Sequence, residues 1–176
     1  MEIKAKCKLD YDACKALAHL NIFRKANPKK GFKVWIIFTV IIALVNLGSI
    51  LIFHDTEFLE LLFWVIVLFL LQCFIYFVIP KISYRNLVKM QEAVHEYIFC
   101  DTVLKISTKS KEYNGEAEIE YSLFVKVYET TKYLFLFQTN NHVFIIDNDT
   151  IEGGTVEDIR NKLTTYVKDK YILCKY

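Results

Sequence analysis

Two long apolar runs separated by only four polar residues constrain this chain more than any other feature. The first, VWIIFTVIIALVNLGSILIF, extends from Val34 to Phe53 without a charge. The second, FLELLFWVIVLFLLQCFIYFVI, extends from Phe58 to Ile79 and holds a single charge, Glu60, near its start. Coiled as α-helices, each reaches roughly 30 Å, the thickness of a bilayer's hydrocarbon core. Helices buried in soluble proteins are seldom both this long and apolar on every face, so the runs read as two transmembrane helices. A secretory signal does not fit, because about 33 residues precede the first run and its apolar core is too long. Charged residues still make up 24% of the chain beside a mean hydropathy of +0.26, so apolar residues are segregated into these runs. Five Gly and two Pro leave no room for a largely disordered chain, and a net charge of +2 does not announce nucleic acid.

Basic residues flank the runs and set their direction. Arg24, Lys25, Lys29, Lys30 and Lys33 precede the first, Lys81 and Arg85 follow the second, and none lies between. The positive-inside rule then places both termini in the cytoplasm and the turn at 54–57 outside, as in a two-span plasma-membrane protein. The split of charge is strong: residues 1–33 carry nine Lys/Arg against three Asp/Glu, whereas residues 34–79 carry three acids and no base. The same seven basic residues form a belt suited to anionic inner-leaflet lipids, each contributing up to about 1 kcal/mol. Trp35 and Tyr76 fall near the interface, where amphipathic rings settle.

With so short a turn the helices form an antiparallel hairpin, and residues whose numbers add to the same value share a depth. Thr39 then meets Gln72, and Asn46 meets Trp64. Polar groups in hydrocarbon seek partners, and such bonds average below about 1 kcal/mol. Thr39–Gln72 and Asn46–Trp64 are the interhelical hydrogen bonds expected to hold the hairpin together. Charged or clustered polar groups that would mark a substrate path are missing.

The rest of the chain reads as an α+β module. Glu2 to Leu9 alternates Ile3, Ala5, Cys7 and Leu9 with charged residues, a half-buried strand. Asp10 caps a helix to about Phe23, and Asn27–Gly31 is a break. A short helix over 80–95 carries Leu87, Met90 and Val94. Strands follow over 96–100, 102–108, 116–121, 125–130, 133–139 and 142–147, with turns at Asn114-Gly115 and Asn140-Asn141. Thr155 and Asp158 open a capping-box helix to about Lys170. The expected organisation is a cytosolic strand and helix over 1–33, spans over 34–53 and 58–79, a connecting helix over 80–95, and a cytosolic domain over 96–176. That domain is an antiparallel sheet or partial barrel closed by the C-terminal helix, with the N-terminal strand joining it, because a lone strand is not stable.

The runs Ile119-Glu120-Tyr121-Ser122, Val125-Lys126-Val127-Tyr128-Glu129-Thr130, Tyr133-Leu134-Phe135-Leu136 and Val143-Phe144-Ile145-Ile146 resemble the C-terminal domain of YcxB-like bacterial membrane proteins. That family is similar in layout too: an N-terminal strand and helix, two spans, and a cytosolic domain of pleckstrin-homology-like appearance. Two positions depart from it, with Tyr121 where the family usually has Trp, and Asp147-Asn148 where it tends to have Pro and a basic residue. The resemblance implies a fold and no agreed biochemical role.

Catalytic motifs are absent: no P-loop, no G-x-G-x-x-G and no G-x-S-x-G. His95-Glu96 begins like a zinc-protease helix, but the second ligand position is Phe99. Five cysteines, an odd count without a C-x-x-C facing a reducing cytoplasm, argue against a disulfide framework, and the scattered His19, His54, His95 and His142 read as solvated or interfacial rather than as metal ligands. Glu112, Glu116, Glu118 and Glu120 read as a solvated sheet face. The expectation is a non-enzymatic protein without cofactor or metal. It is a membrane-anchored binding or scaffold module whose partners are the anionic bilayer and a protein, with a homo-oligomer as a further option. The alternative class is a small oligomeric transport or pore-forming subunit, for which Asn46, Ser49 and Gln72 are a thin polar supply.

Overall fold

Alternation decides the first element. Ile3–Lys8 forms strand β1, whose residues are buried and exposed in strict turn, the three lysines outward. The computed structural model describes residues 2–23, 27–53, 57–86, 93–109 and 114–174. Arg24, Lys25, the turn residues 54–56, Leu87, Met90 and Glu112 lie outside them.

The chain divides into two compact units, one joining residues up to Leu17 with those from Tyr84 onward, the other Ala18–Ser83. In the first, β1 pairs antiparallel with β2 (Val94–Phe99), across the whole intervening sequence, with Ile3 opposite Phe99 and Lys8 opposite Val94. β2 continues into β3 (Val103–Lys109) and β4 (Asn114–Glu120), giving a four-stranded sheet in the order β1-β2-β3-β4. Its inner face buries Ile3, Ala5, Cys7, Tyr97, Phe99, Leu104, Ile106 and Ile119. The outer face is charged, with Glu96 between Lys6 at 3.6 Å and Lys109 at 3.4 Å.

A second sheet has the order β7-β6-β5-β8, from β5 (Lys126–Glu129), β6 (Tyr133–Phe137), β7 (Val143–Asp147) and β8 (Tyr171–Leu173). All five residues of β6 are buried, as its continuous apolar run requires. The sheets meet where Lys4 and Glu152 exchange backbone hydrogen bonds of 2.9 and 2.8 Å and the Thr150 hydroxyl accepts from the Lys6 N–H at 2.9 Å. Gly153 makes that meeting feasible. Its φ is +77°, and a Cβ there would stand 2.8 Å from the Glu2 carbonyl oxygen.

Helix α5 (Val156–Val167) starts at a complete Thr155/Asp158 capping box and buries Ile159, Leu163 and Val167. Its Arg160 grips the buried Glu129 of β5, Nε to Oε2 at 2.8 Å, and Tyr171 of β8 donates its hydroxyl to the same carboxylate. Lys162 donates to the Cys100 carbonyl at 3.1 Å and to Asp101 at 3.2 Å, so α5 also holds the β2–β3 turn.

Helix α1 (Tyr11–Phe23) runs from the first unit into the second, starting where the Asp10 carboxylate accepts from the Ala13 N–H at 2.8 Å. The second unit is the hairpin of α2 (Pro28–Phe53) and α3 (Glu57–Cys73). A π-helical turn, Phe74–Val78, joins α3 to α4 (Ile79–Asn86).

Four expectations are corrected. α2 begins at Pro28 rather than near 34, because Asn27 caps it and proline suits a first helical position. The helix expected over 80–95 ends at Asn86 among the described residues, and Val94 and His95 open β2, where pairing with β1 outweighs helical spacing. Asn114 and Gly115 belong to β4, opposite Lys109 and Thr108, rather than forming a turn. The C-terminal helix stops at Val167, where Lys168 adopts φ +49°, and the chain turns back as β8, parallel to β5.

Candidate functional site

The hairpin end at which α2 begins is both basic and aromatic. Asn27 Oδ1 accepts from the backbone N–H of Lys29 at 3.0 Å and of Lys30 at 3.3 Å, starting a helix whose first turn carries no acid. Lys29, Lys30 and Lys33 are exposed on its first two turns. Lys81 and Arg85, four apart on α4, are exposed as well. These five of the seven expected lipid-contacting residues are thus solvent-accessible, and Arg24 and Lys25 lie outside the described residues.

Beside the lysines is a ring cluster. Tyr76 stacks on Phe32 with centroids 4.1 Å apart and on His19 at 4.4 Å, and Phe23 lies 5.0 Å from Trp35. Gly31 leaves the space for Phe23, since a Cβ at that position would come within 2.7 Å of the ring. Trp35 and Tyr76 therefore sit in one cluster, as their equal expected depth requires.

Pro80 explains the π-helical turn. It has no N–H to offer the Tyr76 carbonyl four residues earlier, and its ring crowds that turn. The helix widens, Ile79 N–H reaches back five residues to the Phe74 carbonyl, and His19 Nε2 donates to the Tyr76 carbonyl at 3.2 Å. His19 is buried and serves the bond that proline removes. A proline four residues after an interfacial tyrosine is the signal that points to it.

Deeper in the hairpin, Gln72 Nε2 donates to Thr39 Oγ1 at 3.0 Å, and the Thr39 hydroxyl reaches the Trp35 carbonyl at 2.9 Å. The two polar side chains expected to meet are brought together. Asn46 and Trp64 are not: Asn46 donates to the Ile42 carbonyl of its own helix at 2.8 Å, and the Trp64 ring lies against Phe63. A carbonyl one turn back is always within reach of a short polar side chain, and depth alone does not choose the partner.

Cys7 stands opposite His95 across β1 and β2, a juxtaposition that invites a nucleophilic reading. Burial, with Asp147 and Asp10 adding to it, pushes the Cys7 thiol up to about 12, so it holds its proton and is a core side chain. His95, pushed below its ordinary value by burial, is hydrogen-bonded to Thr108 at 2.9 Å. Among the described residues no group of three or more His, Cys, Asp or Glu gathers to hold a metal ion.

The order of strands in the first unit, a four-stranded meander, then three antiparallel strands, then a helix, invites comparison with known families. Residues 101–163 match the YcxB-like protein family. The matched YcxB-like segment begins in the β2–β3 turn and ends within α5, so it covers β3 to β7 and leaves β1, β2 and the hairpin outside. Neither the curated proteins nor the solved structures contain a match to this chain.

Proposed function

We propose that this chain is a two-span membrane protein that presents its YcxB-like domain at the cytoplasmic face of the plasma membrane as a non-enzymatic binding or scaffold module. The observation that carries the reading is the exposure of its two long helices. Only 6% of each apolar window is buried, and Val34, Phe38, Leu51 and Leu70 are each at least 60% exposed. A soluble core helix hides such side chains; a bilayer is the solvent that accepts them. The β1–β2 pairing supports an even number of crossings, because the segments before and after the hairpin have to share one side. The lysines and aromatic rings at one hairpin end support a cytoplasmic interface in contact with anionic lipid. Strand order and the helix α5 support a pleckstrin-homology-like fold for the domain.

All lysines of the sequence lie outside residues 34–79, which gives a direct test. A membrane-impermeant amine-reactive reagent leaves every lysine of the chain unmodified in right-side-out vesicles and modifies them in inverted vesicles. Modification in right-side-out vesicles overturns the topology.

A further inference from the structure

We infer that the open edge of β4 is a docking site for an extended, basic segment of a partner protein, which adds to the sheet as a fifth strand. β4 is seven residues long and pairs in continuous register with β3 alone; no other strand pairs with it among the described residues. In an antiparallel ladder alternate residues turn their N–H and C=O groups away from the partner, so this edge offers a row of unused donors and acceptors. The other edges offer less. β1 is covered by Thr150 and Glu152, β7 lies against β1, and β8 has only three residues.

Side chains define what fits. On the outer face β4 presents Glu116, Glu118 and Glu120, all exposed, with Glu118 reached by Lys105 at 2.9 Å. Glu116 and Glu118 also border a groove of about 590 Å³ that crosses this face. On the inner face it presents Gly115 and Ala117, small and not covered, before Ile119 closes the core. A second β4 is the wrong occupant, because antiparallel pairing of two such strands sets glutamates opposite glutamates. The fitting strand alternates Lys or Arg, against the glutamates, with apolar side chains over Gly115 and Ala117. β1 carries that very alternation within this chain, Lys4, Lys6 and Lys8 between Ile3, Ala5 and Cys7. The inference does not depend on the membrane reading, since its test uses the detergent-solubilised full chain.

The probe is a fluorescent synthetic peptide copying residues 2–9 with serine in place of cysteine. Binding is expected to slow hydrogen exchange at the β4 amides, to leave β2 unchanged, and to weaken as salt rises. The variant Glu116→Lys/Glu118→Lys/Glu120→Lys is expected to bind it at least tenfold more weakly, and a peptide with glutamate in place of each lysine recovers binding to that variant. Protection of β2 instead of β4 means exchange with the native β1 and overturns the inference. So do equal binding by the charge-reversed chain, no binding at all, or concentration-dependent protection of β4 without peptide, which assigns the edge to a second copy.

Discussion

Glu129 is a carboxylate only 5% exposed, and its neighbours account for its burial: Arg160 from α5 and the Tyr171 hydroxyl from β8 converge on it. Burial and the nearby carboxylate push the Tyr171 phenol above its ordinary range, so it stays a donor. Breaking such a pair leaves an uncompensated buried charge, whereas replacing both partners removes the charge along with its need. Arg160→Met is therefore expected to cost about 3–5 kcal/mol of domain stability in urea unfolding. The double variant Glu129→Gln/Arg160→Met is expected to recover much of that loss; equal losses would mean that packing, not charge, sets the cost. His95 supplies a pH dependence. Burial lowers its pKa below the ordinary 6.5, so the unfolded chain binds a proton that the folded chain refuses. Stability is then fully present above 6.5 and falls as pH drops through the window below it, down to the depressed folded value. Comparing unfolding midpoints of the native chain and His95→Gln across that window checks it, the variant's profile being the flatter.

At the scale of elements, glycine at one turn decides whether the N-terminal strand docks. Gly153→Val places a β-branched residue at φ +77° and a Cβ against the Glu2 carbonyl. The conformational strain alone is about 1–2 kcal/mol, and faster hydrogen exchange along β1 and β2 is the expected sign; an unchanged exchange pattern would mean that the turn relaxes without undocking β1. The elements most legible in the sequence were those whose pattern is local. Alternation in β1, the unbroken apolar β6 and the Thr155/Asp158 cap each carry their own signal, and each formed close to where it was read. Elements set by distant partners were not legible. β8 is three residues after a helix, and what makes it a strand is β5, more than forty residues earlier. The Glu129–Arg160–Tyr171 cluster has no spacing that announces it. At the hairpin end, the pairing of Trp35 and Tyr76 in one cluster and the Thr39–Gln72 bond followed from depth. His19 was not legible, because its role depends on a carbonyl that Pro80 leaves unsatisfied. Asn46 was misread because its own helix offered a nearer acceptor than Trp64.

For the whole molecule, the main consequence is that the hairpin is an insertion within a domain rather than an anchor in front of one. The YcxB-like match covers residues 101–163, yet the core it belongs to also needs Ile3, Ala5 and Cys7 from the far side of the hairpin. A fragment that starts at residue 96 lacks β1 and the first residues of β2, and so lacks part of its own sheet. That arrangement has a consequence for how the protein is made. β1 leaves the ribosome first and waits for β2, some 90 residues behind it, for several seconds at about 5–20 residues per second. On the proposed two-span reading, a chain in which one helix entered the bilayer and the other did not would leave the two strands on opposite sides, where they never meet. On that reading, closing the sheet acts as an inspection step in biogenesis: a chain with one helix inserted and the other left out cannot complete its domain, and stays open to the proteases that remove unfinished proteins.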